Sequence, residues 1–160
     1  MKQNVQTALD NVDMTYAELI DFANVIVTDT MGDIVLLVDS AYHNIENMSN
    51  DAIRDTMMRL ALRSFSFSEI KEKAAFKAAL AETIRKEAFA KTYTSTSGTG
   101  GVKDNIAIME TSAEIISEEL YTLVASMFKT RLDELHRIVD VLKTVLMSRL
   151  SEAKLSSIEA

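Results

Sequence analysis

The chain has 160 residues, 48% of them apolar and 26% charged, which is a globular composition of single-domain size. It lacks cysteine, so disulfides and thiolate metal sites are excluded, and it lacks proline and tryptophan as well. A net charge of −7 argues against a protein that coats duplex DNA indiscriminately.

Residues 1–14 show no apolar run of the kind found in signal peptides. The longest aliphatic run, Ile34 to Val38, is far short of the about 20 residues that span a bilayer. No membrane role is expected, and a reducing, cytoplasmic compartment fits; for a phage protein, that is the cytoplasm of the host.

A first helix is predicted from Thr15, because Thr15 and Glu18 have capping-box spacing. Tyr16, Leu19, Ile20, Ala23 and Val27 then recur at three- and four-residue steps. The stretch Thr28 to Gly32 reads as a weak break, after which Asp33 caps a second helix to about Asn47. The β-branched pair Ile34-Val35 suits a strand equally well, but no partner strand exists elsewhere in the chain. Ser49-Asn50-Asp51 is a further cap cluster, opening a helix with Ile53, Met57, Leu60 and Ala61 inward. Ser64 to Ser68 (SFSFS) alternates polar and aromatic residues and reads as a joint, with Ser66 and Glu69 again at capping-box spacing. The next helix runs to about Lys91, with Ile70, Ala74, Lys77, Ala78, Ala81, Ile84 and Ala88 on one stripe.

Thr92 to Gly101 (TYTSTSGTGG) contains three of the four glycines and is predicted to be a flexible turn. Beyond it there is no breaker for more than 50 residues. A straight helix from Val102 to about Leu155 would be roughly 80 Å long, against the ~30 Å expected of a small domain. Its apolar stripe begins Ile106, Met109, Ala113, Ile116, Leu120, Leu123, Met127. It resumes on a shifted phase at Leu132, Leu135, Val139, Leu142 and Leu146, which predicts a stutter or kink near Thr130. Two apolar faces at different angles need covers. Helices of the same chain supply one, and a second copy is the simplest source of the other. Leu120, Leu123, Met127, Leu132, Leu135, Val139, Leu142 and Leu146 are therefore the expected oligomer interface. The predicted fold is all-α: an elongated, oligomeric helical bundle, with an acidic helical segment over 1–65 and a long hairpin over 66–160 turning at 92–101, one domain overall.

The sequence offers little for catalysis. A P-loop requires GxxxxGK[ST] after a strand, and Gly98, Gly100 and Gly101 are followed instead by Val102-Lys103-Asp104. His43 and His136 are 93 positions apart, each near one carboxylate (Glu46, Asp133), whereas zinc needs at least three protein ligands. No inward-facing ExxH motif of a di-iron bundle occurs, and no serine has an evident His/Asp pairing. No enzyme activity, cofactor or metal is expected.

Charge is unevenly spread. Residues 1–55 carry two basic and ten acidic groups, residues 56–103 nine and four, and residues 104–160 six and ten; the nets are −8, +5 and −4. The middle block is where polyanion affinity is plausible. Lys73, Lys77, Arg85, Lys86 and Lys91 precede the turn, Lys103 follows it, and Phe76, Phe89 and Tyr93 lie among them. Cations that track a strand, with aromatic faces for bases to stack on, are how non-specific single-strand binders work. The alternative is that these cations only solvate a helix face, with Phe76 and Phe89 in the core and Tyr93 the exposed aromatic.

A Lys/Ala-rich helix (IKEKAAFKAALAETIRKEAFAK, Ile70 to Lys91), a polar Ser-Gly turn and a long leucine-patterned helix with a late Ser148-Arg149 follow one another over about residues 66–154. This order resembles the UvsY-type phage recombination mediators. The resemblance implies an oligomeric ring that binds single-stranded DNA and helps a recombinase replace a single-strand-binding protein. In that arrangement basic arms touch DNA and C-terminal helices join subunits. The alternative is a structural or adaptor helical protein, such as a virion component or a small subunit of a larger complex, that binds no nucleic acid.

Overall fold

The computed structural model describes residues 15–158, and the first helix begins where the capping pattern places it. The Thr15 backbone N–H donates to Glu18 Oε2 at 2.7 Å, and the Thr15 hydroxyl donates to the same oxygen. The Glu18 N–H donates back to Thr15 Oγ1 at 3.4 Å. From this cap α1 runs over Tyr16–Asn44. A 3-10 turn follows at Ile45–Asn47, then α2 over Asn50–Ser95, α3 over Gly100–Glu110 and α4 over Ser112–Ile158. All five elements are helical, and no strand occurs among the described residues. The reading that residues 1–14 carry no signal peptide lies outside the described residues.

Two predicted breaks are absent. Thr28 to Gly32 lies inside α1, and Asp33 is an exposed mid-helix residue rather than a cap. Ile26, Val27, Met31 and Ile34 are all buried across this stretch, so the inward face outweighs the weak propensity of Thr and Gly. The Thr30 hydroxyl donates to the Ile26 carbonyl at 2.7 Å, bonding within the helix instead of ending it. SFSFS is likewise continuous helix. Ser66 and Ser68 donate to the carbonyls of Leu62 and Ser64, no Ser66–Glu69 box forms, and Phe67 turns into the core. The predicted cap before α2 does form: Ser49 Oγ accepts from the Ala52 N–H at 3.1 Å.

The long C-terminal helix is interrupted, but not near Thr130, through which α4 passes unbroken. The interruption is at Thr111, a buried residue with φ −105° and ψ 19° that separates α3 from α4. Its hydroxyl and its N–H both donate to the Ala107 carbonyl, at 2.7 and 3.0 Å. Thr30 makes the same bond within an unbroken helix, so the hydroxyl alone does not account for the interruption.

The chain forms two compact units, each assembled from two stretches rather than divided at residue 65. Among the described residues the first comprises 15–30 and Lys71–Phe128. Its core contains Leu19, Ala23 and Ile26 of α1, Ala74 and Ala81 of α2, Ala107 of α3, and Ile116, Leu120, Val124 and Phe128 of α4. From α2 only alanines are buried here. Ile84 and Lys77, placed on the same inward stripe by the sequence pattern, are exposed.

The second unit comprises Met31–Ile70 and the chain from Lys129 onward. Met31, Ile34 and Ala41 of α1 enter its core, with Ile53, Leu60 and Phe67 of α2 and Leu132, Leu135, Ile138, Leu142 and Leu146 of α4. In the first unit the α4 stripe advances by fours; in the second it mixes threes and fours. The phase change read from the sequence is taken up by spacing alone, since a four-residue step overshoots a helical turn by ~40° and a three-residue step undershoots it by ~60°.

In the second unit, Arg149 of α4 closes the connection between α1 and α2. Its guanidinium donates to the carbonyls of Ile45 (3.1 Å), Glu46 (2.9 Å) and Met48. These carbonyls lie in the 3-10 turn and the residue after it, past the end of α1, and a planar fork with five donors suits several at once.

Three outcomes follow from these contacts. A Cβ added at Gly32 meets nothing within 4 Å, so Gly32→Ala should raise the unfolding free energy by about 0.5–1 kcal/mol in urea titration. Arg149→Ala should lower it by about 1.5–3 kcal/mol, and Arg149→Lys should recover only part, because one ammonium cannot replace the fork.

The hydrogen bonds from the Thr15 backbone and then the Thr15 hydroxyl hold the Glu18 carboxyl below the usual glutamate range. A carboxyl with a lowered folded value contributes stability that is complete above its unfolded value and lost as pH falls through the folded one. Amide protection in the first turn of α1 should therefore persist below the ordinary glutamate range and fade as pH drops further, and Glu18→Gln should remove that dependence.

Candidate nucleic-acid interface

The turn between α2 and α3 is shorter than the sequence suggests: helix continues through Ser95, leaving residues 96–99 as the connection. Hydroxyls occupy the last carbonyls of α2. Thr94 donates to Ala90 and Lys91, and Ser95 and Thr96 donate to Thr92, at 2.7–3.0 Å. Gly98 has φ +134°, a conformation that L side chains rarely adopt, and a Cβ there would lie 3.3 Å from Val102 Cγ1. The Thr99 carbonyl accepts the N–H groups of Val102 and Lys103 and starts α3 with no side-chain cap. Ser97 through Gly101 are exposed, as expected of a turn that stays wet.

The side chains around this turn are less free than the charge count implies. Arg85, half-buried, is ion-paired with Glu118 of α4, 33 positions away. Lys86 is exposed but paired with Glu82 one turn back. The Lys86 hydrogen bond and its positive charge hold the Glu82 carboxyl below the usual range. Lys77 lies 5.7 Å over the Tyr121 ring. Lys73 is exposed and has a partner of its own.

Tyr93 is half-buried rather than the freely exposed aromatic expected. It stacks on Phe89 (centroids 6.1 Å apart, planes at 19°), while Lys103 sits 5.6 Å over its ring. Lys91 is the exposed cation beside the turn with no ion pair among the described residues. Of the seven predicted contacts, then, Tyr93 and Lys103 meet at the turn, and Lys91 lies two residues before Tyr93 on α2. Lys73, Lys77, Arg85 and Lys86 lie further back along α2, where Arg85 and Lys86 are paired with glutamates.

The expected aromatic and leucine placements also change. Phe76, expected in the core, is 70% exposed, and Phe89 is half-buried. Leu120, Leu132, Leu135, Leu142 and Leu146, expected at an oligomer interface, are buried within this chain, and Leu123, Met127 and Val139 are half-buried. Most of the stripe is covered by the chain's own helices, while Met109 at its start is 75% exposed.

One pairing was not legible in the sequence. Ser64 Oγ and His136 Nε2 are 3.0 Å apart across 72 positions. Both residues are mid-helix, where backbone N–H groups are spent on the helix ladder and offer no oxyanion donors. Among the described residues no carboxylate hydrogen-bonds the other ring nitrogen, so the contact ties α2 to α4 within the second unit. His43 Nδ1 lies 2.9 Å from the Asp39 carbonyl of its own helix. No group of three or more His, Asp or Glu side chains among the described residues has metal-site geometry. No described helix is long and apolar enough to cross a membrane.

No protein family, curated protein or solved structure matches this chain.

Proposed function

We propose that the chain is a non-enzymatic helical interaction protein, a structural or adaptor subunit that works by docking onto another protein. The observation that carries this reading is the outward face of α2 in the first unit. Phe76, Leu80 and Ile84 recur there at four-residue steps and are 70%, 48% and 49% exposed. Leu80 and Ile84 line an open groove with Lys77, Glu114, Ser117 and Tyr121, and Phe76 extends the apolar face one turn back along α2. Contiguous exposed apolar surface rimmed by polar groups is a mark of protein interaction sites.

A second reading, the DNA-binding mediator that the sequence resembles, draws on Lys91, Lys103 and Tyr93 around the exposed turn. In that reading the partners are single-stranded DNA and a recombinase, and the protein acts as an oligomer in the cytoplasm of a phage-infected host.

Two measurements separate the readings. The full chain should retain a specific protein from an extract of its source cells, and a Phe76→Glu, Leu80→Glu double variant with unchanged far-UV circular dichroism should lose it. An unchanged set of retained proteins overturns the adaptor reading. Labelled oligo(dT) should give no anisotropy change under that reading. Under the mediator reading it should bind in low salt and be released steeply as salt rises. Lys91→Ala with Lys103→Ala should then weaken binding several-fold, while Arg85→Ala, whose charge Glu118 already neutralises, should change it little.

A further inference from the structure

A second apolar surface lies in the second unit, on the neighbouring faces of α1 and α2. Leu36 of α1 is 70% exposed, and Met58, Leu62 and Phe65 of α2 are 65%, 67% and 86% exposed. The three α2 residues follow at four- and three-residue steps and so share one helix face. Leu36 and Leu62 line the same open groove. Its rims are charged with opposite sign: Asp33 on α1, Arg63 on α2. Neither makes an ion pair among the described residues, whereas the nearby Arg59 is tied to Asp55 at 3.8 Å.

We infer that this face is the contact between two copies of the chain, related by a twofold axis through the groove. A twofold contact uses the same patch on both partners, so the patch must complement itself. A face with one sign of charge would select an oppositely charged partner; this one carries both, on opposite rims. Turning it on the axis lays the α1 rim of one copy against the α2 rim of the other. With the axis along the groove, Leu36 of each copy meets Leu62 of the other, and Asp33 meets Arg63 of the second copy twice. The contact uses α1 and α2, not the leucine stripe of α4. It goes beyond the adaptor reading above, which uses a different face of α2.

The test uses the full-length protein in sedimentation equilibrium. Wild type should be a dimer. Asp33→Arg alone and Arg63→Asp alone should each be monomeric, because each places like charges across the axis twice. An equimolar mixture of the two should recover the dimer mass, because every crossing then pairs Asp with Arg. A wild type that stays monomeric at all accessible concentrations overturns the inference. So does a dimer that both single substitutions leave intact.

A cysteine-free chain adds a check independent of charge. Leu36→Cys chains mixed with Leu62→Cys chains should form a disulfide-linked dimer much faster than Leu36→Cys chains mixed with Met109→Cys chains, Met109 being 75% exposed on α3 in the other unit; equal rates overturn the inference. A monomer would leave the partner capture through Phe76 standing. Loss of that capture with the dimer intact would remove the adaptor reading alone.

Discussion

Burial of the α4 stripe is the constraint from which the other surfaces follow. Ile116, Leu120, Val124 and Phe128 fill the core of the first unit, and Leu132, Leu135, Ile138, Leu142 and Leu146 that of the second. At about 1.5–3 kcal/mol per fully buried large aliphatic or aromatic side chain, this one helix supplies a large share of the apolar driving force. Because α4 points inward along both units, α2 is left with more apolar residues than its inward face accepts. In the first unit it buries alanines, Ala74 and Ala81, and turns Phe76 outward. In the second it buries Ile53, Leu60 and Phe67 and turns out Met58, Leu62 and Phe65. α2 therefore presents exposed apolar side chains in both units, beside others such as Leu36 of α1.

The basic middle block changes meaning in the same way. A net of +5 over residues 56–103 is a statement about sequence neighbours. A charge, however, is neutralised by whatever lies within a few ångströms, and folding brings Glu118 of α4 against Arg85. A half-buried pair of this kind resists recruitment by a phosphate, since removing one partner leaves the other charge poorly solvated. What remains cationic at the turn is Lys91, with Lys103 drawn over the Tyr93 ring. This is a smaller electrostatic footprint than the count of lysines and arginines implies, and it is why docking through apolar surface is the leading reading.

Helix starts were legible where the signal was local. Thr15 with Glu18, and Ser49 ahead of α2, bond within three residues of themselves, so their chemistry is complete before any tertiary contact forms. Helix stops were not legible by the same rule. The Thr28 to Gly32 stretch and SFSFS have weak helix propensity, yet buried residues on either side hold them helical, with the hydroxyls of Thr30, Ser66 and Ser68 bonded back into the ladder. Thr111 shows the converse. Nothing adjacent to it signals a break, yet the helix is interrupted there.

By itself the sequence determined the all-helical class, the capped starts of α1 and α2, the glycine-dependent turn after α2 and the absence of disulfides, because each rests on residues a few positions apart or on composition. Only the tertiary structure decided which face of each helix is inward, that Arg85 is spent on Glu118, that Arg149 closes the α1–α2 connection, and that α2 carries exposed apolar faces in both units. Those outcomes join residues 33 to 104 positions apart in the chain, or depend on which of several similar apolar stripes wins the limited space inside each unit. Periodicity shows that a helix has an apolar face. Competition among neighbouring helices decides whether that face is covered.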